Sequence, residues 1–274
     1  MDRIRLIASD MDATLLNEQS QLPADFEETI HALAELGIRF APASGRPLYT
    51  LEAMFPTLQN ELVFIGDNGG AIRWKGQNLF TSEMSPEGWR ALNRLTREQG
   101  DIAVLCGLES AYVERPFAVH DAVLRHFYTK IEYVDRLEDV TAPADKFTIY
   151  LPQHNAQQAY DTVYASQRSI YSVAVAGECW VDIMNPGVHK GAALQTLGQL
   201  WGLPSESIMA FGDTYNDAEM LQTVRYGFLM ENGSEPLRQK VPFLAPSHRE
   251  AGVMQVLHLS LIHISEPTRL LSIS

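Results

Sequence analysis

Cysteine is scarce in this chain: two in 274 residues, Cys106 and Cys179, far apart and without a CxxC-type partner. That excludes a disulfide framework, speaks against a zinc site and fits a reducing cytosol. Basic side chains are also in short supply, with 21 Lys and Arg against 34 Asp and Glu and a formal net charge of −13. Phosphate backbones need basic patches, so nucleic acid is not an expected partner. A small anionic substrate remains open, because local lysines and a metal can override the global field. Long apolar runs are missing too. No stretch approaches ~18 apolar residues, and the N-terminal MDRIRLIASD has no signal-peptide h-region, so a cytoplasmic protein with no membrane partner is expected. There are no repeats and no low-complexity tracts. What is present is ordinary for a globular chain, 46% apolar and 20% charged, long enough for one large or two medium domains.

One segment is set aside. Leu259 to Arg269 reads LSLIHISEPTR, which back-translates into a transposase adapter used in sequencing libraries, so residues 259–274 are expected to be read-through rather than evolved sequence. The alternative is an apolar tail that finishes the last helix.

An apolar run from Ile4 ends in two aspartates one residue apart, Asp10 and Asp12, followed by Thr14. A buried strand delivering two carboxylates to its own edge is unfavourable unless something cationic sits there. The plainer alternative is an acidic strand end with Asp12 or Thr14 capping a helix. Residues 24–36 carry Phe26, Ile30, Leu33 and Leu36 at helical spacing and stop at Gly37. A second strand, 38–43, ends in Ser44-Gly45-Arg46-Pro47, with proline just inside the next helix. A third, 62–65, runs into GDNGG. This is the pattern of a parallel sheet with right-handed crossovers. After Ser85 the rhythm changes. Helices at 86–99, 119–128 and 156–165 alternate with strands at 102–106, 111–114, 131–134, 147–151, 172–176 and 180–184. Strands with helices on one side suggest an inserted α+β module. From Pro186 the first rhythm returns, with a helix at 192–201, a strand at 208–211 running into GDTYND, and a helix at 218–224. The expected organisation is a core of 1–84 and 185–258 with an inserted cap of 85–184.

Four features fall at turns after parallel strands: Asp10/Asp12/Thr14, Ser44, Lys190 and Asp213/Asn216/Asp217. Ligands of open parallel sheets bind just beyond the strand C-terminal ends. Singly, each has a plainer reading. Ser44 could cap the helix opened by Pro47, Lys190 could be an exposed helix residue, Asp213 and Asp217 could cap the helix near Asn216, and Arg46 could pair with a carboxylate. Against these, a lysine at a helix N-terminus is unfavourable unless an anion sits there.

These residues and their order resemble the haloacid dehalogenase superfamily of phosphohydrolases: DxDxT at Asp10–Thr14, the hydroxyl of Ser44 in ASGR, Lys190 in NPGVHKG, and GDxxND at Gly212–Asp217. The ASGR turn, the NG turn at Asn68-Gly69 and an α/β cap between the second and third signatures look like the Cof-type subfamily. Within it, MAFGDTYNDAEML looks especially like sugar-phosphate and cofactor phosphatases. The resemblance spans about residues 4–257 and implies an α/β fold, a Rossmann-like parallel-sheet core with an inserted α/β cap of C2 type. One departure is Ala13, where glycine is usual.

The resemblance implies a Mg²⁺-dependent phosphatase acting on a small phosphorylated metabolite. Asp10 would attack phosphorus and form an aspartyl-phosphate. Asp12 would protonate the leaving alcohol and then activate water. Asp10, the main-chain carbonyl of Asp12 and Asp213 would hold the metal, with Asp217 close by. Thr14, Ser44, Gly45, Asn216 and Lys190 would hold the phosphoryl oxygens, and Arg46 and Asn68 would face the cap and substrate. A phosphomutase or phosphotransferase would share these residues. A non-catalytic phosphometabolite-binding protein would not need Asp12. Sugar phosphates, pyridoxal phosphate and flavin mononucleotide all stay open as substrates, and oligomeric state is not readable.

Overall fold

A computed structural model describes residues 4–265, with side chains described to residue 260. It divides into two compact units, Met1–Pro42 with Leu197–Ser274, and Ala43–Thr196. In chain order, β1 (Leu6–Asp10), α1 (Phe26–Glu35), β2 (Arg39–Ala43), α2 (Leu48–Ala53) and β3 (Val63–Gly66) come first. The hairpin β4 (Ala71–Trp74) and β5 (Gln77–Thr81) follows, then α3 (Pro86–Gln99), β6 (Ile102–Gly107) and β7 (Ala111–Glu114). Next are α4 (Asp121–Phe127), β8 (Ile131–Val134), β9 (Ala144–Tyr150), α5 (Ala156–Asp161), β10 (Ser172–Val175) and β11 (Trp180–Met184). The last elements among the described residues are α6 (Lys190–Trp201), β12 (Ile208–Gly212), α7 (Ala218–Thr223), β13 (Tyr226–Met230), β14 (Phe243–Ala245) and α8 (Gly252–Ser265).

In the first unit the strands lie in the order β14-β13-β12-β1-β2. β1 pairs in parallel with β12 from Leu6↔Ile208 to Ser9↔Phe211, so both strands end at the same edge. Every residue of β1 and β12 is buried, as expected for parallel strands covered on both faces. Helix α1 buries Phe26, Thr29, Ile30 and Leu33 and stops as the sequence requires. Gly37 sits at φ 72, its N–H reaches Ala34 O at 2.9 Å and the Ile38 N–H reaches Leu33 O at 2.9 Å. Two otherwise orphaned carbonyls are thereby satisfied. Helix α8 continues through the first residues of the expected read-through segment; the remainder of that segment lies outside the described residues.

In the second unit the end of β2 pairs in parallel with β3 at Ala43↔Ile65, and β4 and β5 then add antiparallel. A six-stranded sheet follows in the order β10-β11-β9-β6-β7-β8, antiparallel except for the parallel β7–β8 pair. Its two faces separate by side-chain parity along β6. Ala103 and Leu105 join Trp89 and Leu92 of α3 and Ala156 and Ala159 of α5. Ile102, Val104 and Cys106 join Leu124 of α4, Tyr150 and Trp180 on the other face. Helices therefore cover both faces, not one as the sequence suggested, because Leu124 and Phe127 give α4 an apolar stripe of its own. β9 begins at Ala144, earlier than the apolar pattern indicated. Two charged residues, Asp145 and Lys146, stand inside the strand, and both are buried. No helix among the described residues is long and apolar enough to cross a membrane.

Candidate active site

The first unit gathers carboxylates at the edge where β1 and β12 end together. Asp10 closes β1 and Asp213 follows β12, and both are buried, as is Asp217. Each offers one oxygen, and these oxygens lie within 4.8 Å of one another. The Thr14 hydroxyl donates to Asp213 Oδ1 at 3.3 Å, tying the turn after β1 to the turn after β12. Asp217 Oδ2 accepts the N–H groups of Asp213 at 3.0 Å and Thr214 at 3.3 Å, and Thr214 and Asp217 form a reciprocal capping box. The capping alternative for Asp217 therefore holds alongside its place in the carboxylate group. Asn216 is half-buried, and its Oδ1 accepts from the Thr214 hydroxyl at 2.6 Å. Gly212 is required by packing, since a Cβ there would sit 2.5 Å from the Asp217 Cβ.

Between the two aspartates the chain alternates. Asp10 and Met11 are buried while Asp12 is exposed, at φ −75 and ψ 130. Ala13 then turns left-handed, φ 58 and ψ 13, which explains why glycine is the usual residue of the resembling pattern. The turn closes with Leu16 N–H on Met11 O at 2.9 Å. A residue absent from the sequence reading clasps it: Asn232 Nδ2 donates to Ala13 O at 2.8 Å, and Asn232 Oδ1 accepts from His248 N–H at 3.0 Å. In the same turn, Ser234 N–H donates to Asp213 O at 2.7 Å. A signal for Asn232 existed, since Glu231-Asn232-Gly233-Ser234 is one more polar turn after an apolar parallel strand.

The second unit holds the other candidates. Ser44, buried at the end of β2, does not cap α2, whose N-terminal flank is Pro47 with no side-chain cap. Its Oγ instead accepts the Arg46 N–H at 3.1 Å. The turn after β3 is laced to it, with Asn68 N–H on Ser44 O and Asp67 N–H on Arg46 O, both 2.9 Å. Asp67 and Asn68 take φ 49 and 55, a conformation that Asn and Asp tolerate better than most residues. Gly45 packs on the Asn68 amide, where a Cβ would lie 3.2 Å from Oδ1. Gly69 is needed because a Cβ would meet His189 O at 2.6 Å, so the NG turn backs the turn that starts α6 with Lys190. Lys190 is wholly buried, and His189 Nδ1 accepts the Ala192 N–H at 3.1 Å in that first turn. Arg46 is buried with its guanidinium 5.9 Å from the Phe127 ring of α4.

Sequence reasoning also missed a buried charge cluster beneath these turns. Lys146 reaches Asp67 Oδ1 at 3.1 Å and Asp182 Oδ2 at 3.4 Å. Burial alone would lower the Lys146 ammonium, but Asp182 and Asp67 hold it well above its ordinary value. Burial, then the Asp67 carboxylate, raises Asp145 well above the carboxylate range. Burial also pushes the Cys106 thiol up to about 12, leaving it inert as a nucleophile.

Residues 7–257 match the family model described as haloacid dehalogenase-like hydrolase. The chain is similar to a 5-amino-6-(5-phospho-D-ribitylamino)uracil phosphatase of Escherichia coli, 31% identical over 95% of this chain and 97% of that one. It is also similar to an HMP-PP phosphatase of Cronobacter sakazakii, 31% identical over 88% of this chain and 89% of the relative. Among solved structures, a Streptococcus mutans protein superposes with a TM-score of 0.86 at 28% identity, covering 94% of this chain and 99% of its own. A haloacid dehalogenase-like hydrolase of Bacteroides thetaiotaomicron shares the fold, with a TM-score of 0.81 at 22% identity over 94% of this chain and 100% of its own.

Proposed function

This chain belongs to the haloacid dehalogenase-like hydrolases and is a phosphatase, and from that membership we propose a Mg²⁺-dependent hydrolysis of a small phosphorylated metabolite through an aspartyl-phosphate on Asp10. The observation that carries the proposal is the carboxylate group at the common edge of β1 and β12. The donor set suits a hard divalent cation. With bonds of about 2.1 Å, Mg²⁺ separates its ligand oxygens by at most about 4.2 Å, and the trio already lies within 4.8 Å. Asp10 and Asp213 would hold the ion, with Asp217 supporting them. When bound, it offsets charge between the attacking carboxylate and the phosphoryl group.

The chain's own residues supply the rest. A carboxylate oxygen of Asp10 forms a bond to phosphorus while the ester P–O bond breaks, and Asp12 gives its proton to the departing alkoxide. Asp12, exposed where Asp10 is buried, then takes a proton from water as that water attacks phosphorus. The Asp10–phosphorus bond breaks and inorganic phosphate leaves. Thr14, Ser44, Gly45, Asn216 and Lys190 would bind the phosphoryl oxygens. Burial of an ammonium at a helix N-terminus supports that assignment for Lys190, because only anionic company makes it tolerable. Arg46 and Asn68 would face the organic part of the substrate, and residues 85–184 would act as the cap. 5-Amino-6-(5-phospho-D-ribitylamino)uracil, the substrate named for the Escherichia coli relative, is the first compound to try.

The test is phosphate release from an aryl phosphate and a metabolite panel, with Mg²⁺ and with chelator. Asp10→Asn is expected to lower release by roughly 10³-fold or more with the fold intact, and retained turnover would refute the nucleophile. Asp12→Asn is expected to slow turnover while preserving the Mg²⁺-induced rise in Tm that Asp213→Asn loses. Equal loss of that rise in both variants would contradict the acid/base role.

A further inference from the structure

The buried ammonium of Lys146 lies under the turn that carries Ser44. Lys146 is 2% exposed, and besides Asp67 and Asp182 its Nζ donates to the carbonyl of Gly45. Asp182 is in turn held by the Thr148 hydroxyl at 2.6 Å and by Asn68 Nδ2 at 2.9 Å. A buried lysine between carboxylates is a poor way to gain stability, since well-packed apolar residues often do as well or better. Its contacts have to be explained by what they orient.

They converge on one peptide group. The carbonyl of Gly45 and the N–H of Arg46 are opposite edges of the same planar amide. Lys146 holds the first edge. The second edge donates to Ser44 Oγ at 3.1 Å. Because the plane is rigid, fixing the carbonyl direction fixes the N–H direction, and with it the hydroxyl that the N–H engages. The ammonium also polarises the amide and strengthens the bond from its far side. Since Ser44 Oγ accepts from Arg46, its own proton is directed away from that N–H, as a donor to a phosphoryl oxygen requires.

We propose that Lys146 is a positioning residue for phosphate binding, acting on the Ser44 hydroxyl through the Gly45–Arg46 peptide. Lys146 and Asp182 stand on β9 and β11 of the six-stranded sheet, so this relay makes a phosphate-binding turn depend on strands of the insert. The proposal rests on the phosphate-binding reading of Ser44.

The experiment is a double-mutant cycle with Ser44→Ala and Lys146→Met in the full-length enzyme with Mg²⁺. It measures kcat/KM for an aryl phosphate and the inhibition constant of inorganic phosphate. Lys146→Met is expected to worsen both by about tenfold in the wild-type background and by less than about twofold once Ser44 is alanine. Should Lys146→Met alone fail to fold, Lys146→Met/Asp182→Asn balances the buried charge and replaces it in both backgrounds. Equal losses in the two backgrounds, or wild-type constants in Lys146→Met, overturn the relay while leaving Ser44 in place. Phosphate inhibition that ignores Ser44→Ala overturns the reading of Ser44, and the relay falls with it. A merely structural role for Lys146 would lower Tm without coupling to Ser44.

Discussion

Replacing Ala13 with glycine is expected to stabilise this enzyme. Ala13 holds φ 58 and ψ 13 in the turn after Asp10, where its Cβ crowds the following carbonyl. That left-handed conformation costs an L-residue with a Cβ about 1–2 kcal/mol, and glycine does not incur it. Glycine has a freer unfolded chain, which returns about 0.4–1 kcal/mol of the gain. The Asn232 contact to this residue is made through the main-chain oxygen and survives the change. The balance is a net stabilisation of about 0.5–1 kcal/mol, or a rise in Tm of roughly 1–4 °C for a chain of this size. Urea unfolding followed by circular dichroism, in metal-free buffer so that ion binding does not contribute, measures it directly. A variant less stable than wild type by about 0.5 kcal/mol or more would mean that the methyl packs better than it strains, and would refute the reasoning.

Asn232→Ala removes the clasp on Ala13 O and the acceptor for His248 N–H; it should lower stability by about 1 kcal/mol or less, the side chain being exposed, and reduce phosphate release several-fold. Asn232→Asp keeps the acceptor for His248 N–H and sets a carboxylate oxygen against Ala13 O, so a rate loss at least as large as that of Asn232→Ala locates the effect at the turn. Asp145 supplies a pH prediction. Its folded pKa is raised above the unfolded value, so its contribution is fully present below the unfolded pKa of about 3.9 and declines as pH rises toward the folded pKa. Over that window the unfolded chain has released a proton that the folded chain keeps, a loss of about 1.4 kcal/mol per pH unit. Asp145→Asn removes this term, so its stability relative to wild type should climb with pH from about 4 upward. Urea titrations at several pH values check it, and a constant difference would show that Asp145 is ionised in the fold.

Much of the first unit was legible because its chemistry is local. An apolar strand that stops at Asp10, a helix that stops at Gly37, and an apolar strand that runs into Gly212-Asp213 each announce themselves over a few residues, and the parallel rhythm implies that the two acidic turns share an edge. The second unit was less legible. Charges inside β9 broke the apolar pattern, so Asp145 and Lys146 fell outside the expected strand, although Asp67 and Asp182 hold the Lys146 ammonium there. Taken alone, Ser44 read better as a helix cap, and only the fold shows Pro47 flanking α2 with no side-chain cap. Asn232 lay in a turn whose partner, Ala13, is far away in sequence.

By itself, the sequence determined the fold class and the strand ends that carry Asp10, Ser44 and Asp213, because periodicity and turn chemistry act over short stretches. Only the tertiary structure decided the close approach of Asp10, Asp213 and Asp217, the left-handed turn at Ala13 held by Asn232, and the seat of Lys146 under the Gly45–Arg46 peptide. These depend on strand register and on bonds between residues far apart in the chain, where one position of slip would turn each side chain to the opposite face.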